Sequence, residues 1–169
     1  MLFRSSLIEA IETLARDHTR RVRSLLAEAL KDVANAPPHV IAWLAQDRDI
    51  DVAAPVLERS PLLSDDDLIA VIASAPIPGA LEAIARRGSV SSRLADAIVT
   101  ADDRGAVTAL LENRSAQIRE ETLDRLIERS RELTEWQPPL VRRPALSPEA
   151  AAKLASFVAD SDRKSTRLN

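Results

Sequence analysis

Apolar residues recur along the chain with the spacing of short amphipathic helices. Between Asp51 and Arg59, for example, Val52, Val56 and Leu57 fall on one helical face. Each such segment is too short to bury its apolar side by itself, so neighbouring segments must stack against one another. The pattern therefore predicts an all-α protein in which short helices pack side by side.

The predicted helices follow each other closely and fill most of the chain. They are expected near Leu2 to Arg16, Arg20 to Asn35, from after Pro37-Pro38 to near Gln46, and at Asp51 to Arg59, Asp65 to Ser74, Pro78 to Arg87, Ser92 to Ala101, Arg104 to Asn113, Ile118 to Leu133 and Pro148 to Asp160. A short turn is expected from Trp136 to Arg143. From Asp51 onward, consecutive elements are predicted to form pairs.

An eight-residue string recurs along the chain. LERSPLLS begins at Leu57, IARRGSVS at Ile84 and LVRRPALS at Leu140. They share the pattern apolar, any, Arg, Ser or Arg, Pro or Gly, any, apolar, Ser, and a weaker copy, LLENRSAQI, begins at Leu110 and keeps Arg114. The three full copies are separated by one or two steps of about 27 to 28 residues. Repetition at this period predicts an α-solenoid of short HEAT-like helix pairs.

Each part of the string has a physical role at a helix boundary. Arg in the last turn of a helix is favoured by the helix dipole. Pro or Gly then ends the helix, and the closing Ser caps the N-terminus of the next helix. The residues assigned to this structural role are Arg59, Ser64, Arg86, Ser91, Arg114, Arg142 and Ser147.

The recurring arginines also allow a functional interpretation, in which they form a ladder that binds an anionic partner along one groove. The alternative is that each arginine is a helix C-terminal cation paired with an aspartate of an adjacent repeat. The second interpretation is favoured because helix chemistry alone explains the pattern.

A family resemblance lies in the run from Asp47 to Ile72, DRDIDVAAPVLERSPLLSDDDLIAVI. This run resembles the bacterial domain-of-unknown-function family 2336, and the later string LVRRPALS is similar to that family's repeats. The resemblance covers Leu25 to about Ala159, and its most specific part is Asp49–Asp67. It implies a HEAT-like helical repeat and an alphaproteobacterial-type source, and it implies no activity, substrate or catalytic residue.

The amino-acid composition reduces the number of function classes that fit the chain. Hydrophobic residues make up 46% of the chain but aromatic residues only 2%, which suits close helix packing by aliphatic side chains. Without cysteine, the chain has no disulfide, no thiolate nucleophile and no cysteine-ligated metal, and we expect a cytoplasmic location. No stretch approaches a membrane span. The formal net charge of −3 does not indicate a general affinity for nucleic acid or anionic lipid.

Residues suited to catalysis are scarce. His18 and His39 are the only histidines, and neither is followed by the Glu of the His-Glu pairs that HEAT-like metal hydroxylases use. The acidic run Ser64–Asp67 is interpreted as a helix N-cap, because successive helical residues point in different directions and do not converge on one ion. No cofactor, metal or catalytic residue is therefore predicted.

The favoured function is a non-enzymatic scaffold that binds another protein. The second helices of the pairs carry mostly acidic residues, which suggests a basic or amphipathic partner segment. Trp43 is expected in the core and Trp136 in an exposed loop, where it would serve as an anchor. The candidate contact residues are Asp66, Arg93, Asp96, Glu120, Asp124 and Trp136.

Two other functions remain open at this point. One is a nucleic-acid-binding HEAT-like protein of the DNA-glycosylase type, although the acidic chain and its few aromatic residues argue against phosphate and base contacts. The other is a helical-repeat enzyme such as a lyase or hydroxylase, which would need a deep pocket with convergent polar groups.

The last eight residues, DRKSTRLN from Asp162 to Asn169, match the translation of a common DNA-sequencing adapter. We therefore expect one helical repeat domain over residues 1–161 and a non-native tail over residues 162–169. On this interpretation the natural protein continues differently beyond the domain.

Overall fold

The computed structural model describes residues 2–17, 19–74, 76–143 and 146–166, and this part of the chain is all-helical. Its eleven α-helices are α1 (Leu2–Ala15), α2 (Arg20–Leu30), α3 (Pro38–Ala45), α4 (Ile50–Arg59), α5 (Asp65–Ala73), α6 (Ala80–Ala85), α7 (Ser92–Thr100), α8 (Arg104–Glu112), α9 (Glu120–Arg129), α10 (Gln137–Val141) and α11 (Pro148–Thr166). A 3-10 helix, Thr134–Trp136, leads directly into α10. The described residues contain no β-strand, only an isolated parallel bridge between Val90 and Ala116.

The helices pack as two rows. In the first row, α2, α4, α6, α8 and α10 each contact the next member. In the second row, α1 packs on α3, α5 on α7 and α9 on α11, and a hydrogen bond from Thr122 to Asp96 joins α9 to α7. Contacts between the rows, such as α3 with α4 and α7 with α8, enclose a single apolar core.

Serine and aspartate side chains start several of these helices. Ser64 Oγ accepts a hydrogen bond from the Asp67 N–H at 3.2 Å, and the Asp67 carboxylate accepts one from the Ser64 N–H at 2.9 Å, which completes a capping box. Ser91, Asp103 and Ser147 likewise accept hydrogen bonds from the first turns of α7, α8 and α11. The closing serine of the repeated string is thus an N-cap wherever the string occurs in full.

Several predicted helix boundaries differ from the structure. Helix α9 begins at Glu120 rather than Ile118, because the Gln117 N–H donates to the Val90 carbonyl at 2.9 Å and holds the preceding residues extended. Helix α2 ends before the predicted Asn35. Helix α11 runs past its predicted end into the C-terminal octamer.

A few residues named in the sequence analysis lie outside the described part of the chain. They are His18, Pro144 of the last repeated string, and residues 167–169 of the octamer. No helix in the part that is described is both long and apolar enough to cross a membrane.

The first row depends on small side chains. Ala53 of α4, Ala83 of α6 and Ala106 of α8 are almost fully excluded from solvent. Because the distance between helix axes depends on the side chains at their contact, alanine lets these short helices approach closely. This packing accounts for a core that is aliphatic apart from the buried Trp136.

A proline interrupts helix α4, and a neighbouring helix compensates for it. Pro55 has no N–H, so it cannot donate to the carbonyl of Asp51 one turn earlier. The Ser24 hydroxyl of α2 donates to this carbonyl at 3.1 Å instead. The replacement satisfies the backbone and links α2 to α4.

A nearly buried arginine joins α2 to the loop before α4. Arg23 Nε lies 2.7 Å from Asp47 Oδ2, its Nη2 lies 3.0 Å from Asp49 Oδ2, and its Nη1 donates to the Asp17 carbonyl at 2.8 Å. Burial acts to raise the pKa of Asp47, but the hydrogen bonds from Arg23 and from the Asp49 N–H outweigh it and leave that pKa lowered.

The turn before α6 requires a glycine. Gly79 has a φ of +88°, in the left-handed region, and a Cβ at this position would lie 3.2 Å from Ile50 Cγ1. Only a residue without a side chain fits this conformation at low cost.

We expect the Gly79→Ala substitution to lower the free energy of unfolding by about 1 to 2 kcal/mol, because it strains the backbone and crowds Ile50. Gly88→Ala is the matched control, since a Cβ there meets nothing within 4 Å. Urea unfolding followed by circular dichroism measures both. Equal unfolding midpoints for the two variants would contradict the role assigned to Gly79.

Acidification should remove the stability that Asp47 contributes. Because the pKa of Asp47 is lower in the folded than in the unfolded chain, its contribution is present above the unfolded pKa and is lost as the pH falls towards the folded pKa. We therefore expect Asp47→Asn to lose less stability than the wild type between about pH 7 and about pH 3. Urea midpoints of the wild type and of Asp47→Asn at both pH values test this, and an equal loss of stability in the two proteins would contradict it.

Candidate functional site

The outer face of the second row holds most of the predicted contact residues, but several of them are already paired. Arg93 Nη1 of α7 lies 2.6 Å from Asp66 Oδ1 of α5, and both side chains remain largely exposed. Asp96 of α7 accepts a hydrogen bond from Thr122 Oγ1 at 2.7 Å and forms an ion pair with Arg119 at 3.0 Å. Asp66, Arg93 and Asp96 thus connect successive helices of the row.

Helix α9 differs from its neighbours in this respect. Glu120, Glu121 and Asp124 are exposed, and none of them forms an ion pair or a side-chain hydrogen bond with another described residue. Glu128, further along the same helix, is paired with Lys153 of α11. The first half of α9 therefore carries three exposed carboxylates that have no partner among the described residues.

The two tryptophans occupy the opposite environments from those predicted. Trp136 is fully buried: its Nε1 donates to Thr108 Oγ1 at 3.1 Å, and the Arg129 guanidinium lies 5.1 Å from its ring centre. The prediction of an exposed anchor is corrected, because the 3-10 helix turns the ring towards α8 rather than leaving it in a loop. Trp43 is instead 38% exposed, with the Arg16 guanidinium 4.2 Å from its ring.

The arginines of the repeated string have different partners. Arg59 Nε lies 2.9 Å from Asp32 Oδ1, in the preceding repeat, as the structural interpretation expects. Arg86 instead pairs with Glu82 within one helix turn, at 3.0 Å. Arg114 and Arg142 are exposed and form no ion pair with any described residue. The four arginines therefore do not form a uniform ladder.

The residue directly after Arg86 has a structural role that the sequence analysis did not assign to any residue. The Arg87 guanidinium donates from Nη1 to the Leu57 carbonyl at 2.5 Å and from Nη2 to the Ser60 carbonyl at 2.8 Å, at the C-terminal end of α4. Burial lowers the pKa of Arg87, and Asp65 partly offsets this effect.

The same arrangement recurs at the next two helix ends. Asn113 Nδ2 donates to the Ala85 and Arg87 carbonyls, both at 2.8 Å, at the end of α6. The Arg143 guanidinium lies among four carbonyl oxygens at and beyond the end of α8, the nearest being that of Ala116 at 2.6 Å. Burial lowers the pKa of Arg143 as well. Each first-row helix from α4 to α8 thus has its C-terminus capped by a side chain from the following repeat.

These inter-repeat caps were missed because the string pointed to the first arginine of each pair. The available signal was the doublet Arg86-Arg87 and its later copy Arg142-Arg143. Successive residues at a helix end point in different directions, so only one member of each doublet reaches the preceding repeat.

Clefts lie along the edge of the first row. One of about 580 Å³ lies between α2 and α4, and another of about 550 Å³ lies between α4 and α6. They share Glu58 and Arg59 and therefore adjoin. A smaller cleft of about 210 Å³ lies between α8 and α10.

The side chains lining these clefts are suited to binding charged groups. Both carboxylates and guanidinium groups line each of them, and such groups form charge-assisted hydrogen bonds with a ligand or partner. Among the described residues, no three His, Cys, Asp or Glu side chains are placed to hold a metal ion.

Substitution of Arg87 tests the inter-repeat caps. We expect Arg87→Gln to lower the free energy of unfolding by about 2 kcal/mol, because the carbonyls at the end of α4 lose a charged donor. The neighbouring Arg86→Gln removes only an exposed ion pair and should change stability by less than about 0.5 kcal/mol. Thermal and urea unfolding of both variants provide the measurement, and a larger loss for Arg86→Gln would refute the assignment.

Comparison with known proteins identifies the family. A model of the bacterial family described as "uncharacterised protein conserved in bacteria" (DUF2336) matches residues 52–167. The match runs from α4 to the C-terminal octamer and includes all three inter-repeat caps. No curated protein and no solved structure matches the chain. Because the family model covers more than half of the chain, the chain belongs to this bacterial family, DUF2336.

Proposed function

We propose that this protein is a non-enzymatic scaffold of the bacterial cytoplasm, built as a short α-solenoid of HEAT-like pairs. The recurrence of contacts at one sequence separation supports the solenoid. Arg59 with Asp32, Arg87 with the Ser60 carbonyl and Arg129 with Asp102 are each separated by 27 residues. In a repeat protein of this kind, each unit contacts its neighbours and the stack presents an extended face to partners.

The single observation that carries the binding proposal is the uncompensated charge on α9. The aspartates of α5 and α7 are engaged within the chain, by Ser64, Ser91, Arg93, Arg119 and Thr122. Glu120, Glu121 and Asp124 are not, and all three are exposed. The first two also favour the start of a helix, but Asp124 lies in the next turn, where the helix dipole gives little benefit.

The proposed partner is a basic segment of another protein. Lysine and arginine side chains complement the carboxylates of α9 and speed association through electrostatic attraction. Helix α11 packs beside α9 and exposes Ala151, Ala152 and Ala155. These small side chains leave room for the aliphatic stems of lysine and arginine to lie against the surface.

The experiment compares the wild type with the triple variant Glu120→Gln, Glu121→Gln, Asp124→Asn. Both are used to capture proteins from the lysate of a bacterium that encodes the protein, and each captured protein is then purified and its affinity measured. We expect one partner whose binding weakens at least about tenfold in the variant and with added salt.

The matched control carries Glu9→Gln, Glu132→Gln and Glu135→Gln, which remove the same charge from exposed positions outside α9 and α11. The control should bind the partner like the wild type. If every captured protein binds the α9 variant and the wild type equally, the proposed binding face is wrong.

A further inference from the structure

The cleft between α8 and α10 contains cations that the chain itself does not neutralise. Its lining includes Arg114, Arg142 and Arg143, with Glu112 as the one carboxylate. Arg143 is committed to backbone carbonyls. The side chains of Arg114 and Arg142 form no hydrogen bond or ion pair with a described residue, and Glu112 pairs with neither of them.

The other repeats act as internal controls for this cleft. Arg86 follows α6 directly and is neutralised by Glu82, four residues earlier. Arg142 follows α10 in the same way, but the residue four positions earlier is Pro138, which has no charge. The ion pair within one helix turn that neutralises Arg86 therefore has no counterpart at Arg142.

An ion pair with the preceding repeat, of the kind that neutralises Arg59, is absent at Arg142 as well. Arg59 at the end of α4 is neutralised by Asp32, which lies in the loop after the preceding first-row helix, α2. The loop after α8, which precedes Arg142 in the same way, contributes Arg114 to the cleft instead of a carboxylate. Arg114 and Arg142 therefore line one small cleft, whereas the earlier repeat places Arg59 beside Asp32. The two positive charges in the cleft repel each other unless an anion lies between them.

We infer that this cleft is an oxyanion-binding site, which takes a phosphate or carboxylate group between Arg114 and Arg142. The guanidinium fork matches both groups, because each offers two oxygens to parallel N–H donors. A cleft of about 210 Å³ holds one such group but not a large metabolite. The caps formed by Arg143 fix the end of α8 against α10, so the two arginines are held on a rigid frame.

This inference does not rest on the proposed scaffold function, since the cleft lies on the first row and attracts the opposite charge. An oxyanion could be supplied as free phosphate or by an acidic or phosphorylated side chain of another protein. The shared requirement is a negatively charged group with at least two oxygens directed at the guanidinium forks.

The test observes the arginine Nε–Hε signals of the isotope-labelled protein during titration. Inorganic phosphate, acetate and sodium chloride are added in separate arms at equal ionic strength. We expect saturable shifts of the Arg114 and Arg142 signals with phosphate, acetate or both, and none with chloride. The Arg59 and Arg86 signals, whose guanidinium groups already have carboxylate partners, should stay in place.

Three variants complete the test. The double variant Arg114→Gln, Arg142→Gln should weaken oxyanion binding at least about tenfold. Glu112→Gln removes the one opposing charge and should tighten binding about two- to threefold. The control Arg59→Gln, Arg86→Gln should bind like the wild type.

A response to phosphate alone would assign the cleft to phosphoryl groups, and a response to acetate as well would extend it to carboxylates. Shifts of equal size in all three arms, including the chloride arm, would show a general effect of ionic strength and would overturn the inference. Equal shifts of the Arg59 and Arg142 signals would overturn it as well. Urea midpoints of the double variant, expected to equal that of the wild type, exclude misfolding as the cause of lost binding.

Discussion

Helix ends impose the main constraint on this protein. Its helices are so short that a large share of their backbone groups lies in first or last turns, where no partner exists within the helix. In the first row, the unsatisfied carbonyls at three successive helix ends receive donors from Arg87, Asn113 and Arg143, each from the repeat that follows. Aliphatic packing supplies most of the stabilisation, but these caps fix the register between repeats.

The same constraint separates structural from functional arginines. The half-buried guanidinium groups of Arg87 and Arg143 contact backbone carbonyls and stabilise the fold. The arginine that precedes each of them is exposed, so its charge can interact with other groups. In the middle repeats that outward charge is neutralised within the chain, by Asp32 and Glu82. At α10 it is not, and on the other row the carboxylates of α9 are likewise uncompensated. The proposed binding features of both signs thus lie in the last repeats.

Local signals in the sequence predicted local structure well. The N-caps at Ser64 and Ser147 depend on residues within one turn, so spacing alone is sufficient to place them. The roles of Arg87 and Trp136 depend on groups one repeat earlier, such as the Ser60 carbonyl and the Thr108 hydroxyl. These contacts become visible only once the repeats are stacked, which is why the role of Arg87 was not predicted and the burial of Trp136 was predicted wrongly.

Caps that cross repeat boundaries also affect how the fold can change over evolutionary time. Removing one repeat from the middle of the stack, such as α6 with α7, would remove Arg87 together with the helix whose end Asn113 covers. The carbonyls at the end of α4 would then meet a residue of a different kind and reach. Deletion or duplication of a whole repeat is therefore tolerated only where the side chain at the new junction again reaches the carbonyls of the preceding helix. The segment that can be gained or lost as a unit thus extends from the middle of one repeat to the middle of the next.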